Sequence, residues 1–132
     1  MEKFLSEAKP VVILCVDDDP RALLARRLVL SSAGYDVLTA SSGEDALRVL
    51  RHRDVDLVVA DAFLPRLTGA EMTAAIKRHN PRIRVVLLTA APEPPSAALA
   101  DLILIKGRAP ANFLAEIAKV IAGEPPEADP HK

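Results

Sequence analysis

Five short apolar runs recur along the chain, at 11–16 (Val-Val-Ile-Leu-Cys-Val), 35–40, 57–60 (Leu-Val-Val-Ala), 85–88 (Val-Val-Leu-Leu) and 102–105 (Leu-Ile-Leu-Ile). Most are continuous rather than alternating, which marks strands buried on both faces. Such strands need cover on two sides, and the intervening segments supply it. Asp19 as N-cap with Pro20 in the first turn opens a helix. Leu24 and Leu28 lie four apart on one of its faces, and Ala33-Gly34 ends it. Ser42-Gly43-Glu44-Asp45 opens a second helix, its acids placed where they favour the dipole, with Ala46, Leu47 and Leu50 as its apolar side. A third runs from Thr68 to Arg78, with Met72 and Ile76 on one face and Asn80-Pro81 closing it. Phe113, Ile117 and Val120 mark a last helix ending near Gly123. Strands alternating with helices predict an α/β fold, a doubly wound parallel sheet covered on both faces.

One stretch breaks this rhythm. Between the fourth and fifth strands, Pro92, Pro94 and Pro95 forbid a helix at the start of the segment. Only the residues from Ser96 onward are free to turn, so a shortened or missing fourth helix is expected. With 132 residues the chain has room for one domain. A domain of this size buries roughly two-thirds of its unfolded surface and needs no disulfide or structural metal to fold. The expected organisation is an N-terminal extension over 1–10, one domain over 11–122, and a disordered tail over 123–132, where proline and charge dominate.

Composition removes several classes of function. A net charge of -1 gives no long-range pull toward nucleic acid or an anionic membrane, and an aromatic content of 3% leaves few rings for stacking bases. Arg21, Arg26, Arg27, Arg48, Arg51 and Arg53 read as solvated helix faces. His52, His79 and His131 show no metal-ligand spacing. Cys15 stands alone in an apolar run, so it reads as buried and inert, and a single cysteine fits a reducing compartment. No apolar run approaches the ~20 residues of a membrane helix, and the first ten residues do not resemble a signal peptide. A cytoplasmic location is expected.

The chemistry gathers at strand ends. Asp17, Asp18 and Asp19 follow the first strand, Asp61 the third, Thr89 the fourth and Lys106 the fifth. In an open parallel sheet, ligands bind beyond the carboxyl ends of the strands. Crowded carboxylates repel one another, and a hard divalent cation such as Mg²⁺ relieves the conflict. A carboxylate beside that cation can attack a phosphoryl group, while a lysine and a hydroxyl stabilise the transferring oxygens.

Val16-Asp17-Asp18-Asp19-Pro20, the run from Asp56 through Asp61 to Leu64-Pro65 with Gly69, Leu88-Thr89-Ala90, and Lys106 resemble, in order, the signatures of response-regulator receiver domains. The resemblance covers about residues 10–122. It implies a flavodoxin-like (CheY-like) five-stranded sheet of order 2-1-3-4-5. It implies Asp61 as phosphoacceptor, with Mg²⁺ held by Asp18, Asp61 and the backbone carbonyl of Phe63, and by Asp17 through water. It implies that Thr89, Lys106 and the backbone N–H of Ala90 contact the phosphoryl oxygens. The implied partners are a histidine kinase or phosphotransfer protein and an unknown downstream protein, with neither nucleic acid nor membrane. The chain would be no enzyme beyond self-catalysed phosphoryl acceptance and autodephosphorylation.

Three departures from the family's pattern fall on one side of the domain. Lys106 follows Thr89 after only 17 positions, Ile103 stands where the family usually has an aromatic residue, and Gly107 replaces the proline that usually follows the lysine. They spare the pocket and strike the face that normally reports phosphorylation. The expectation is that phosphoacceptance is kept, that the usual output is altered, and that Ile103 does not switch. Two rival readings accompany this one. The first is a receiver-like interaction module that is never phosphorylated. The second is a phosphohydrolase of the haloacid-dehalogenase type built on Asp17-x-Asp19. That reading is opposed by Arg21, which stands where the type wants threonine or valine.

Overall fold

The computed structural model describes residues 9–90 and 99–123. Five parallel strands, β1 (Val12–Val16), β2 (Asp36–Ala40), β3 (Leu57–Asp61), β4 (Arg84–Thr89) and β5 (Leu102–Ile105), form one sheet in the order β2-β1-β3-β4-β5. The described helices are α1 (Pro20–Ser32), α2 (Gly43–His52), α3 (Gly69–His79) and α4 (Pro110–Ala122). The fold class read from the sequence is therefore the one observed. Residues 1–8 of the extension expected over 1–10, the proline-rich stretch 91–98 where a shortened or missing helix is expected, and residues 124–132 of the tail expected over 123–132 lie outside the described residues.

Alternation along each strand splits the core in two. Leu14, Val16, Val58, Ala60, Val85 and Leu87 face the side covered by Ala46 and Leu50 of α2 and by Met72 and Ile76 of α3. Ile13, Cys15, Leu57, Val59, Val86 and Leu88 face the other, covered by Leu30 of α1 and by Phe113, Ile117 and Val120 of α4. This two-sided burial is why β1 and β3 read as continuous apolar runs. Cys15 is buried as expected, and burial pushes its thiol up to about 12, against the opposing pull of the Arg26 charge. Such a thiol stays protonated at neutral pH and is a poor nucleophile.

The helix ends follow local chemistry. Asp19 accepts from the Arg21 N–H with Pro20 behind it, Ser42 accepts from the Asp45 N–H, and Thr68 forms a reciprocal capping box with Glu71. The backbone N–H of Thr68 bonds the Glu71 side chain and holds its carboxyl below the usual range.

The sequence left open which way one helix face turns. Leu24 and Leu28 do share a face of α1, but it is the solvent face, where they are 55% and 61% exposed. Leu23, Arg26, Val29 and Leu30 turn toward the sheet instead. Apolar residues lie all round α1, so helical periodicity does not choose a side there. The charge decides it: Arg26 is drawn inward, and so is not one of the solvated arginines.

Candidate functional site

In this strand order the chain leaves β1 toward β2 and later returns to its other side as β3. The crevice between the carboxyl ends of β1 and β3 is the topological switch point, where open α/β sheets bind ligands. The three consecutive acids after β1 have three separate fates there. The Asp17 N–H donates to the Ala40 carbonyl at 3.2 Å, which fixes the residue at the end of β1 against β2. Its Oδ1 accepts from the Asp19 N–H at 2.9 Å, and the side chain is buried. Asp19 caps α1. Asp18, between them, is exposed at the mouth.

Asp61 closes β3 and is buried. Its Oδ1 accepts from the Phe63 N–H at 2.9 Å, and its Oδ2 accepts from Lys106 Nζ at 2.7 Å. Both loops at this end are tied to the neighbouring strand. The Ala62 N–H donates to the Leu88 carbonyl at 2.8 Å, and the Lys106 N–H donates to the Thr89 carbonyl at 2.7 Å. Asp61, Thr89 and Lys106 are thereby brought to one place from three strands, as the sequence led us to expect. Thr89 is buried, while Ala90 is exposed next to it. The Phe63 side chain is exposed, and its backbone N–H holds the Asp61 carboxylate.

Two glycines shape the surroundings. The N–H of Gly69, the first residue of α3, donates to the Ala62 carbonyl at 3.1 Å. A Cβ at Gly69 would stand 2.9 Å from the Ala62 Cα and carbonyl oxygen and 3.0 Å from the Asp61 carbonyl oxygen. Only glycine lets the helix start this close behind the loop that follows Asp61. Gly107 takes φ +90°, a left-handed conformation, and a Cβ there would meet no neighbour. Among the described residues no peptide bond is cis. The loop after β5 thus turns by glycine's freedom at the position where the family usually carries proline.

Carboxylate oxygens of Asp17, Asp18 and Asp61 all lie within 4.8 Å of one another. Three hard oxygen donors at that spacing, one of them open to solvent, fit a small divalent cation that keeps several waters. Among the described residues, two cations contact these acids. One is Lys106, anticipated from the sequence. The other is Arg26, whose Nη1 sits 2.9 Å from Asp17 Oδ2. The contact is one of charge rather than a directed hydrogen bond, and neither atom has a hydrogen-bond partner among the described residues. At the rim, Glu44 meets Arg66 at 3.2 Å, and its own backbone N–H together with that side chain holds its carboxyl below the usual range. His52 and His79 are exposed, away from these acids, and His131 lies outside the described residues. No described helix is long and apolar enough to cross a membrane.

Comparison with known proteins agrees with this geometry. The family model of the response regulator receiver domain matches residues 13–102. The transcriptional regulatory protein GlrR of Escherichia coli is 42% identical over 92 residues, which are 70% of this chain and 21% of that protein. The sensor histidine kinase RcsC of Escherichia coli is 37% identical over 91 residues, 67% of this chain and 9% of that protein. The chain therefore spans only a minor part of the length of these relatives. Among solved structures, the response regulator protein TrrA of Thermotoga maritima, in complex with Mg²⁺ and BeF, superimposes with a TM-score of 0.76 at 30% identity, covering 84% of this chain and 98% of that one.

Proposed function

The chain belongs to the response regulator receiver domain family, and from that premise we propose that Asp61 accepts a phosphoryl group from a histidine kinase or phosphotransfer protein. The observation that carries the assignment is the 2.7 Å contact between Lys106 Nζ and Asp61 Oδ2, opposite Asp17 and Asp18. An acid that closes a fully buried strand and meets a lysine just past another strand supports this reading, because burying a carboxylate is costly unless it is used.

The residues take the following roles. The Asp61 carboxylate attacks phosphorus, the bond from phosphorus to the donor imidazole nitrogen breaks, and its electron pair returns to the ring, which takes a proton from solvent. Lys106 moves its charge toward the incoming phosphoryl oxygens, and the Thr89 hydroxyl and Ala90 N–H donate to them. Asp18, Asp61 and the Phe63 carbonyl would hold Mg²⁺, with Asp17 acting through water. When bound, Mg²⁺ neutralises the carboxylates and draws charge from the phosphoryl oxygens. Output runs through protein–protein contact in the cytoplasm, in whatever larger assembly the domain serves.

A hydrolase using Asp17 as nucleophile is disfavoured by the site itself. That carboxylate is 2% exposed and is engaged by Asp19 and Arg26. The deciding experiment is intact mass before and after acetyl phosphate with Mg²⁺, on wild type and Asp61→Asn. Wild type should gain one phosphoryl group and the variant none. A wild-type protein that stays unlabelled, yet folded, would favour the non-phosphorylated interaction module.

A further inference from the structure

Arg26 has no part in the proposed chemistry, yet it reaches the same acids. It stands on the inward face of α1, its side chain 13% exposed, between apolar neighbours Leu23 and Leu30. Burying an ion pair costs desolvation on both sides, and a hydrophobic residue at such a position is often at least as stabilising. A guanidinium there needs a reason beyond packing. Its position supplies one, because Nη1 contacts the Oδ2 of Asp17, the acid most deeply set in the pocket. Arg26 also lines a cavity of about 290 Å³ together with Val29, Leu88, Lys106 and Phe113. Its walls are largely apolar, and Lys106, the partner of Asp61, stands among them.

We propose that Arg26 is a resident counter-ion of the acidic pocket, holding Asp17 when no metal is bound and thereby setting how weakly the pocket takes a divalent cation. The inference rests on the cation-binding role assigned above to Asp17, Asp18 and Asp61. With Arg26 and Lys106 both present, two cations already face three carboxylates. An arriving divalent ion must share Asp17 with a guanidinium that stays charged at every physiological pH. Removing that guanidinium deepens the negative potential of the mouth. Arg26 is in this sense a positioning residue for Asp17 and a determinant of metal affinity.

The test is a Mg²⁺ titration of wild type, Arg26→Leu and Arg26→Lys, followed by the backbone amide shifts of Asp18 and Ala62, with unfolding by urea in EDTA and in saturating Mg²⁺. Arg26→Leu should bind Mg²⁺ at least tenfold more tightly, about 1.4 kcal/mol, and should gain more stability from the ion than wild type does. Arg26→Lys, which keeps the charge, should stay close to wild type. If the leucine variant does not fold, Arg26→Gln replaces it under the same criteria. In wild type, the Arg26 side-chain nitrogen resonances should shift as Mg²⁺ saturates the site. An unchanged or weakened affinity in the neutral variant overturns the proposal, as do Arg26 resonances that ignore the ion. Wild type that binds no Mg²⁺ removes the cation site as a whole, which separates failure of the parent reading from failure of the role given to Arg26.

Discussion

β3 and β5 each deliver one end of the Asp61–Lys106 contact, but the two strands are held very differently. Every residue of β3 is buried, and it is hydrogen-bonded to β1 on one side and β4 on the other. β5 has four residues, of which only Leu104 is fully buried, and among the described residues it pairs with one strand, β4. A central strand has its register set from both sides, so Asp61 has little room to move. An edge strand tolerates substitution, because one ladder and a partly solvated surface constrain it less. The family's departures in this sequence, Ile103 and Gly107, belong to the edge. What pins the edge is the Lys106 backbone bond to Thr89 at 2.7 Å and, at the other end of β5, a bracket around Asp101. Asp101 Oδ2 accepts from the Val85 N–H and from Lys77 Nζ, both at 2.7 Å, and so anchors the start of β5 to β4 and α3. The difference teaches that two pinned ends are enough to bring a lysine to Asp61 from a strand that is otherwise loosely held.

The most severe way to break this comparison is at the contact itself. Lys106→Met should slow phosphorylation by acetyl phosphate about a hundredfold, the usual order for losing one transition-state donor, with folding intact by circular dichroism. A rate within threefold of wild type would mean that the edge strand contributes nothing to the chemistry. Next is the central side. Gly69→Val places atoms where a Cβ alone meets backbone at 2.9 Å. It should lower stability in urea by about 2 kcal/mol, within the range for overpacked sites, and slow phosphorylation as the acceptor loop shifts. Gly107→Ala tests the edge in the same way. It meets no neighbour but keeps the left-handed backbone, so the loss should be about 1 kcal/mol. If it destabilised more than Gly69→Val, the contrast between rigid centre and tolerant edge would be reversed. The smallest effect is the most diagnostic. With beryllofluoride and Mg²⁺, amide shifts at Asp61, Ala62 and Thr89 should move clearly while the Ile103 methyl groups barely respond. Ile103 is half-buried against the core and has no ring to swing between exposed and buried positions. A large concerted shift through Ile103 and Gly107 would show that the edge switches after all.

Much of this molecule could be read locally. The runs around Ile13, Val58 and Val86 are apolar on both faces, so their place in a covered parallel sheet follows from composition and length alone. The caps at Asp19, Ser42 and Thr68 are short-range chemistry, legible within four residues. Asp61 and Lys106 were visible because an acid or a lysine closing an apolar strand stands out against its neighbours.

The sequence by itself determined the alternation of strands and helices and the chemical groups offered at each strand end, since both are written in residues adjacent along the chain. The tertiary structure alone decided which of those groups meet. Asp17, Asp18 and Asp19 are identical in kind, yet one turns inward, one faces the mouth and one caps a helix. That division depends on the Ala40 carbonyl across β2 and on a guanidinium nine positions further along. Arg26 read as one more solvated helix arginine, and the sequence placed Leu24 and Leu28 on one face without saying which way that face turns. The structure decided both, because the attraction of a buried carboxylate acts through space, and no periodicity along a helix encodes where that carboxylate lies.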